Sequence, residues 1–566
     1  MQNKWLKYTI AYICAVLVTG LVYYITLPPL NLQSESFWFF LTFVLAIFLL
    51  PVALFTDGAP AKNTKKKINE EPIVVIIRYF TKGKRVKAKP FMLIALAPLA
   101  VLLVGTLISS TFFNATRYAS IITVEEAVFS EDMPESETVT NIALMDSETA
   151  AIVGNRTLGS LSHVVSQYEI STTYTQINYR NTPKKVANLE YADFFKWLSN
   201  RAEGLPGYVM VDPVGNTAEY KEYKAPALYS ESGFFGDDLV RRLRFDYPTK
   251  IFGDIKYEIN DEGEPIYVVP CLKPKVSLFG ARDVCEVILF NPCTGESEIY
   301  NVNETPAWID SAFDGYLAME KYNWKGMYSG GWLNSVIGNK DCKVTTDDFG
   351  YIVIGDDVWY FTGVTSVNSD QSNIGFIISN ARTGEYKFYP VIGAEEHSAM
   401  GAAEGEMQHM RYKASFPALI SVKGEATYIM VLKDDYGLVK LYALVNVEQY
   451  NLVATGETQK DAMEAYKALL LKEGILSDES VSDPDSSLTH TFTVSSVRTF
   501  SLSGVSYLYF DTEIHGKPAI LKCSVEENEG LLFIKEGDVL TVTLERDVTE
   551  GIFLITSYEK QDSANP

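Results

Sequence analysis

Read from its N-terminus, the pattern of apolar and polar positions changes character once, near residue 113. Before that point three segments run almost without charge: Tyr8 to Leu27, Phe37 to Phe55 and Phe91 to Phe113. Each has the length that about 30 Å of hydrocarbon demands of a helix, so three transmembrane helices are expected. A cleaved signal peptide would need a small-residue site after the first segment, and only Leu27-Pro28-Pro29 follows it. Beyond residue 113 the apolar runs shorten, alternate and become aromatic. They predict strands over Lys256 to Ile259, Ile266 to Leu272, Val284 to Phe290, Tyr351 to Ile354, Val358 to Thr362, Ile374 to Ser379, Ala418 to Ser421, Thr427 to Lys433 and Val439 to Val447. Helical spacing of apolar residues predicts helices over Leu189 to Arg201, Asp237 to Tyr247, Trp308 to Tyr322, Glu395 to Arg411 and Gln459 to Leu470.

An internal likeness organises these elements. Asn291 to Tyr300 (NPCTGESEIY) and Asn380 to Tyr389 (NARTGEYKFY) share Asn, Thr, Gly, Glu and Tyr at equivalent places, each after an apolar strand. An Asn at the first place folds its side chain onto a turn, and a Gly four places later supplies positive φ, so both runs read as hairpin turns. Tyr208 to Tyr223, with Asp212-Pro213 and Gly215, is a looser third copy. The unit is one helix plus a three-stranded antiparallel meander, each sheet expected to pack on its own helix.

Asp246-Tyr247-Pro248 closing a helix, Tyr267-Val268-Val269 in a strand and Asn291-Pro292-x-Thr294-Gly295-Glu296 at the last hairpin together resemble the PepSY type of extracytoplasmic α+β module. The resemblance covers Asp237 to Val302 best and Trp308 to Val391 less well. It implies a non-catalytic regulatory or inhibitory module that binds protein or peptide at a cell surface, and it brings no catalytic residues.

Charge then sets an orientation. Residues 57–90 carry ten Lys or Arg, among them Lys65, Lys66, Lys67 and the Lys82, Lys84, Arg85, Lys87, Lys89 cluster, and Lys4 and Lys7 precede the first span. The turn between the first two spans has none. Basic loops stay in the cytoplasm, so an odd number of spans places residues 114–566 outside it. That portion holds 37 basic against 67 acidic residues, a balance that excludes charge-driven binding of nucleic acid. Within the basic loop, Pro72 to Phe80 is apolar and too short to span; it reads as an interfacial segment or a short buried element.

Toward the C-terminus, Ser477 to Leu488 is Ser/Asp-rich and reads as a linker. Strands over Val505 to Asp511, Ala519 to Val525, Val539 to Glu545 and Ile552 to Tyr558, with Glu536-Gly537-Asp538 as a turn, predict a small β-barrel of OB-like type.

Candidate chemistry is sparse. Of six cysteines, Cys271 and Cys285 fall on successive predicted strands, which leaves open a cross-strand disulfide or a pair of small buried residues; Cys293, Cys342 and Cys523 show no pairing pattern. Asn114, Asn155 and Asn303 each open an Asn-x-Thr triplet. The densest His/carboxylate group is Glu396, His397 and Glu404, with Glu395, Glu406 and His409 on the same predicted helix. It lacks the HExxH spacing of a zinc site, and acids at a helix start answer its dipole without a metal. These three residues are the candidates for a metal or a catalytic centre, and no cofactor is expected.

The expected fold is therefore a membrane-anchored α+β chain. Its parts are an anchor over 1–113, a first α+β region over 114–230, PepSY-like repeats over 231–306 and 307–393, a further α+β repeat over 394–476, a linker over 477–488 and a small β-barrel over 489–566. The expected function is non-enzymatic binding, scaffolding or regulation at the cell envelope, with the lipid bilayer and an envelope protein or peptide as partners. The alternatives are an enzyme acting on envelope polymer and a transmembrane signal sensor.

Overall fold

The computed structural model describes residues 2–55, 88–133, 144–476, 489–502, 505–514, 517–524, 534–544 and 552–560. The expected interfacial segment Pro72 to Phe80 and the linker Ser477 to Leu488 lie outside these residues. The chain is mixed α+β and divides into two compact units, residues 1–469 and 470–566.

The first unit opens with three apolar helices, α1 (Gln2–Thr26), α2 (Glu35–Phe55) and α3 (Ala88–Ser109). Trp5–Thr26 and Phe91–Ser109 are long and apolar enough to cross a membrane, and Glu35–Pro51 is a shorter apolar helix. The third expected span stops four residues early. Ser110 is extended, a short helix α4 (Thr111–Ala119) follows, and Asn114 inside it leaves helical geometry. The Asn114 amide donates to the carbonyls of Ile108 (2.7 Å) and Ser110 (3.1 Å), satisfying groups that the end of α3 leaves open. This buried role removes Asn114 from the candidate modification triplets.

Four sheets follow, and the same order of strand pairing recurs in all of them. The first has β1 (Tyr168–Ile170), β2 (Thr175–Tyr179), β3 (Thr182–Tyr191), β4 (Leu205–Asp212) and β5 (Thr217–Ala227). The second has β6 (Ile251–Phe252), β7 (Lys256–Ile259), β8 (Pro265–Val276), β9 (Gly280–Phe290) and β10 (Ser297–Asn301). The third has β11 (Lys343–Thr345), β12 (Gly350–Ile354), β13 (Asp357–Ser366), β14 (Ser369–Asn380) and β15 (Tyr386–Tyr389). The fourth has β16 (Lys413–Ala414), β17 (Ala418–Val422), β18 (Glu425–Lys433), β19 (Val439–Asn446) and β20 (Val453–Gly456). In each, the first two strands both pair with the third, and the third, fourth and fifth form an antiparallel meander. The third sheet gains two more strands, Glu125–Glu126 beside β15 and Gly393–Ala394 beside β14. A helix precedes each sheet: α5 (Ser147–Gly159), α6 (Leu239–Asp246), α7 (Gly315–Tyr328) and α8 (Glu396–Glu406).

The hairpin turns explain the sequence likeness. Asn291 Oδ1 accepts from the amides of Cys293 (2.8 Å) and Thr294 (3.2 Å), and Asn380 Oδ1 accepts from those of Arg382 and Thr383 (both 2.9 Å). Gly295 and Gly384 then take φ of 74° and 72°. A Cβ at either glycine would meet an aromatic ring, that of Tyr229 at 2.6 Å or of Phe313 at 2.7 Å. In the first sheet Asp212 Oδ1 plays the Asn role toward Val214 and Gly215, but Asn216, with φ 52°, takes the left-handed place that Gly215 was expected to fill. Asn446 ends β19 likewise, with Oδ1 accepting from Gln449 across a longer turn.

Sheets pack on their own helices, as Ala318 on the third and Ala399 on the fourth show, and the core adds packing of sheet on sheet that was not expected. Along β8, Tyr267, Val269 and Cys271 face a core shared with Tyr208, Val209 and Trp197 of the first sheet's region, while Val268 faces Ile309 and Phe313. Phe361, Phe376 and Ile378 of the third sheet share a core with Tyr428, Met430 and Val445 of the fourth, and the opposite face receives Ala318, Met319 and Tyr322 of α7. Central strands that are apolar on both faces must be covered on both, so the sheets pack in pairs.

Three expected helices shift. Leu189 and Tyr191 belong to β3, and the helix is Phe194–Asn200, capped by Asp193. The Trp308 start moves to Gly315, where Asp314 caps α7. Helix α8 ends at Glu406, with a 3-10 turn (Gln408–Met410) beyond it.

The second unit is a six-stranded sheet of β21 (Thr489–Thr493), β22 (Ser496–Leu502), β23 (Val505–Ile514), β24 (Lys517–Ser524), β25 (Val539–Leu544) and β26 (Ile552–Lys560). Its order is β21-β25-β26-β24-β23-β22. The pairing path ends at β21 and β22, so among the described residues no closed barrel forms, in place of the expected OB-like one. Phe492, Leu508, Phe510, Leu521, Leu540 and Val542 make its core.

Candidate functional site

The three residues singled out from sequence are not brought together. Glu396 is fully buried at the start of α8, its carboxyl accepting from the Gly363 amide (2.5 Å) and the Thr346 hydroxyl (3.0 Å). Burial pushes it up to about 7. His397, one residue on, is exposed against Phe416. Glu404 turns to β16, pairing with Lys413 Nζ (2.9 Å) and accepting from the Ala414 amide (3.1 Å). Glu395 caps the helix through the amides of His397 and Ser398. Among the described residues no group of three or more His, Cys, Asp or Glu is placed to hold a metal ion.

Cys271 and Cys285 are both free thiols. A bulge between Val284 and Glu286 leaves Cys285 without a strand partner, and its Sγ lies 3.2 Å from the Cys271 carbonyl. Burial raises both thiols, Cys271 to about 12, which keeps them unreactive.

Two arrangements that sequence reasoning missed carry more chemistry. The first is a buried acid pair where β2, β7 and the chain before α7 meet. Glu258 accepts from the Asp310 amide (3.1 Å), and Asp310 Oδ2 accepts from the Asn178 amide (2.8 Å). Burial raises both acids and each opposes ionisation of the other, so the pair holds proton at neutral pH. Glu258 is 1% and Asp310 6% exposed. No substrate reaches acids so enclosed, and their partners are backbone amides of neighbouring segments, which makes them a clamp between sheets.

The second arrangement is a cavity of about 270 Å³ lined by Lys185, Gln176, Asp146, Phe349, Tyr351 and Phe416 with their neighbours. Strand β3 positions Lys185. Alternation along Thr182–Tyr191 turns Lys184 outward to pair with Asp212 (3.0 Å) and Lys185 inward, where it is 3% exposed. Its Nζ lies 5.1 Å from the centroid of the Tyr351 ring and has no hydrogen-bond partner among the described residues. Asp146, the nearest acid in charge terms, is already committed to Lys433 (2.5 Å) and to the Thr149 amide (2.8 Å). Burial lowers the Lys185 ammonium to about 8, against the pull of Asp146, so at neutral pH it is mostly charged. A buried ammonium facing open volume and aromatic walls is an anion-binding arrangement: an incoming carboxylate supplies the partner that the fold withholds.

No protein-family model matches the chain, and no curated protein matches it.

Proposed function

We propose that this chain is a membrane-anchored binding protein of the cell envelope. In this reading α1, α2 and α3 span the membrane, the basic 57–90 loop stays in the cytoplasm, and residues 114–566 lie outside it as tandem PepSY-like modules that bind an envelope protein or peptide. The observation that carries the reading is the way the apolar helices meet the second sheet's region. Leu6, Leu17, Leu21, Leu93 and Leu103 stand exposed along α1 and α3. At one end, however, the helices are bound by polar contacts. Arg244 donates to the Leu27 carbonyl (3.0 Å), Asn31 to the Thr249 carbonyl (2.9 Å), Arg282 pairs with Glu35, and the Ser109 hydroxyl accepts from the amides of Leu278 and Phe279 (both 3.1 Å). Helices exposed along their length and clamped at one end support a hydrocarbon surrounding with the sheets beyond it.

The ligand chemistry follows from the Lys185 cavity. A peptide C-terminus offers a carboxylate for Lys185 and one side chain for the walls formed by Phe349, Tyr351 and Phe416. The test uses the full-length chain in nanodiscs, titrated with the dipeptide Ala-Phe and with its C-terminal amide. Saturable binding of the acid, loss with the amide and loss in Lys185→Met support the reading. Equal binding of acid and amide, or binding unaffected by Lys185→Met, sinks the cavity as the site. Orientation is read separately, by protease added to wall-free intact cells, which should digest the sheets and spare the basic loop.

A further inference from the structure

Between α7 and β11 the chain makes a turn that does not bury its apolar residues. Trp332 to Gly338 coils tightly, ending at Asn339 with φ 46°, and Asn334 ties it off by donating to the Lys340 carbonyl (2.8 Å) and accepting from the Lys340 amide (3.1 Å). The turn is thus held in shape by its own polar contacts while Leu333, Val336 and Ile337 stand 66%, 56% and 79% exposed. Three large aliphatic side chains on one rigid turn are costly to leave in water.

Their position names what covers them. Trp332 packs edge-on against Phe112, ring centroids 4.6 Å apart, and Phe112 and Phe113 are themselves exposed just past the end of α3 at Ser109. Helix α7, which carries the turn, is fixed to this end: Tyr118 of α4 meets Trp324 edge to face (5.0 Å) and donates to the Ser109 carbonyl (2.8 Å), and Lys325 donates to the Ile122 carbonyl (3.3 Å). The apolar surface of α3 therefore continues through Phe112 and Phe113 into the turn. The turn begins at Trp332, whose indole is of the kind that favours a membrane interface, and has the exposed Lys340 at its base, a partner for a phosphate layer.

We propose that the turn Trp332–Ile337 inserts into the bilayer leaflet nearest Ser109, its aliphatic side chains among the acyl chains, and so fixes the third sheet's tilt against the membrane. The insertion rests on the membrane-anchored reading given above, and the test separates the two. A photoreactive phenylalanine analogue is placed singly at Leu103, Ile337 or Tyr436 of the full-length chain in native membranes, irradiated, and its adducts are identified by mass. Leu103 stands exposed on α3, and Tyr436 is 81% exposed on the β18–β19 turn. Phospholipid adducts at 103 and 337 with none at 436 support insertion. Phospholipid at 103 with protein or no adduct at 337 overturns insertion and leaves the anchor standing. No phospholipid at 103 overturns the anchor and insertion together. Because Leu333 and Val336 lie on the surface of the chain, Leu333→Ser with Val336→Ser should leave folding intact and abolish the lipid adduct at 337; an unchanged adduct overturns the proposal.

Discussion

Lys185 and Lys321 are buried to the same degree, each 3% exposed, and their surroundings differ in one respect. Lys321, on α7, meets the Asp283 carboxylate at 2.6 Å and lies over the rings of Phe313 and Tyr386. Both line cavities, but Lys185 has only the face of Tyr351 and no carboxylate within ion-pair reach among the described residues. A buried ammonium loses its hydration whatever its role, and a carboxylate within hydrogen-bond reach offsets most of that cost. Where the fold supplies the partner, the lysine ties elements together, here α7 to β9. Where it supplies none, the cost stands. The comparison separates a lysine whose partner the fold supplies from one whose partner it withholds, without reference to any motif.

The largest expected effect lies on the structural side. Asp283→Ala leaves the Lys321 ammonium buried and unpaired and should cost about 3–5 kcal/mol, read as a lowered midpoint in denaturant unfolding of the detergent-solubilised chain. A loss below about 1 kcal/mol would mean that solvent reaches the pair and the contrast with Lys185 is false.

Next comes the pH response of Lys185. Its folded pKa of about 8 lies below the ordinary 10.5. Between those values the unfolded chain holds the proton and the folded chain has released it, so the lysine's contribution to stability rises with pH across this window, by up to about 3 kcal/mol. Buried tyrosines, whose raised values act in the opposite direction near the upper end, are common to both chains if wild type is compared with Lys185→Met. The difference between the two should favour Lys185→Met at pH 7 and shrink toward pH 10.5. A constant difference would show that Lys185 titrates as a solvated lysine.

A smaller effect sharpens the same point. Tyr351→Leu removes the ring face beneath the Lys185 ammonium and should cost about 1 kcal/mol at neutral pH, while lowering further the pH at which Lys185 loses its proton. The same replacement should leave Lys321 and its response to Asp283→Ala unchanged, since neither residue of that pair touches Tyr351.

The sequence disclosed the scaffold far better than the site, and the lysines show why. The central strands are legible because they are apolar on both faces: Val284 to Phe290, Ile374 to Ser379 and Thr427 to Lys433 all fall inside observed strands. The turn chemistry of Asn291 and Asn380 is local and reads directly. What packs on what is not local, so sheets expected to sit on their own helices do so and also pack on one another, which no spacing announces. Leu189 and Tyr191 carry spacing that suits a helix, and strand pairing with Tyr168 and Ile170 overrides it. Lys184 and Lys185 are adjacent and chemically identical, and strand alternation alone places one outside and one inside. The cavity draws on residues from Leu144 to Ala418, so no spacing along the chain announces it.

The smallest expected effect falls on the group that the sequence favoured. His397→Ala combined with Glu404→Gln should change stability by no more than about 0.5 kcal/mol and leave Ala-Phe binding at its wild-type strength. His397 is exposed, and Glu404 pairs with a Lys413 that is 72% exposed, so solvent screens what the pair contributes. Glu396 must be kept out of this variant: it is sealed beneath α8 with its carboxyl held by Gly363 and Thr346, and its replacement would perturb packing for reasons unrelated to a ligand. The measurement is a paired one, thermal midpoint and titration on the same preparation. Unchanged midpoint with lost binding would move the ligand site from the Lys185 cavity to the outer face of α8, and with it the contrast between the two buried lysines would lose its functional meaning.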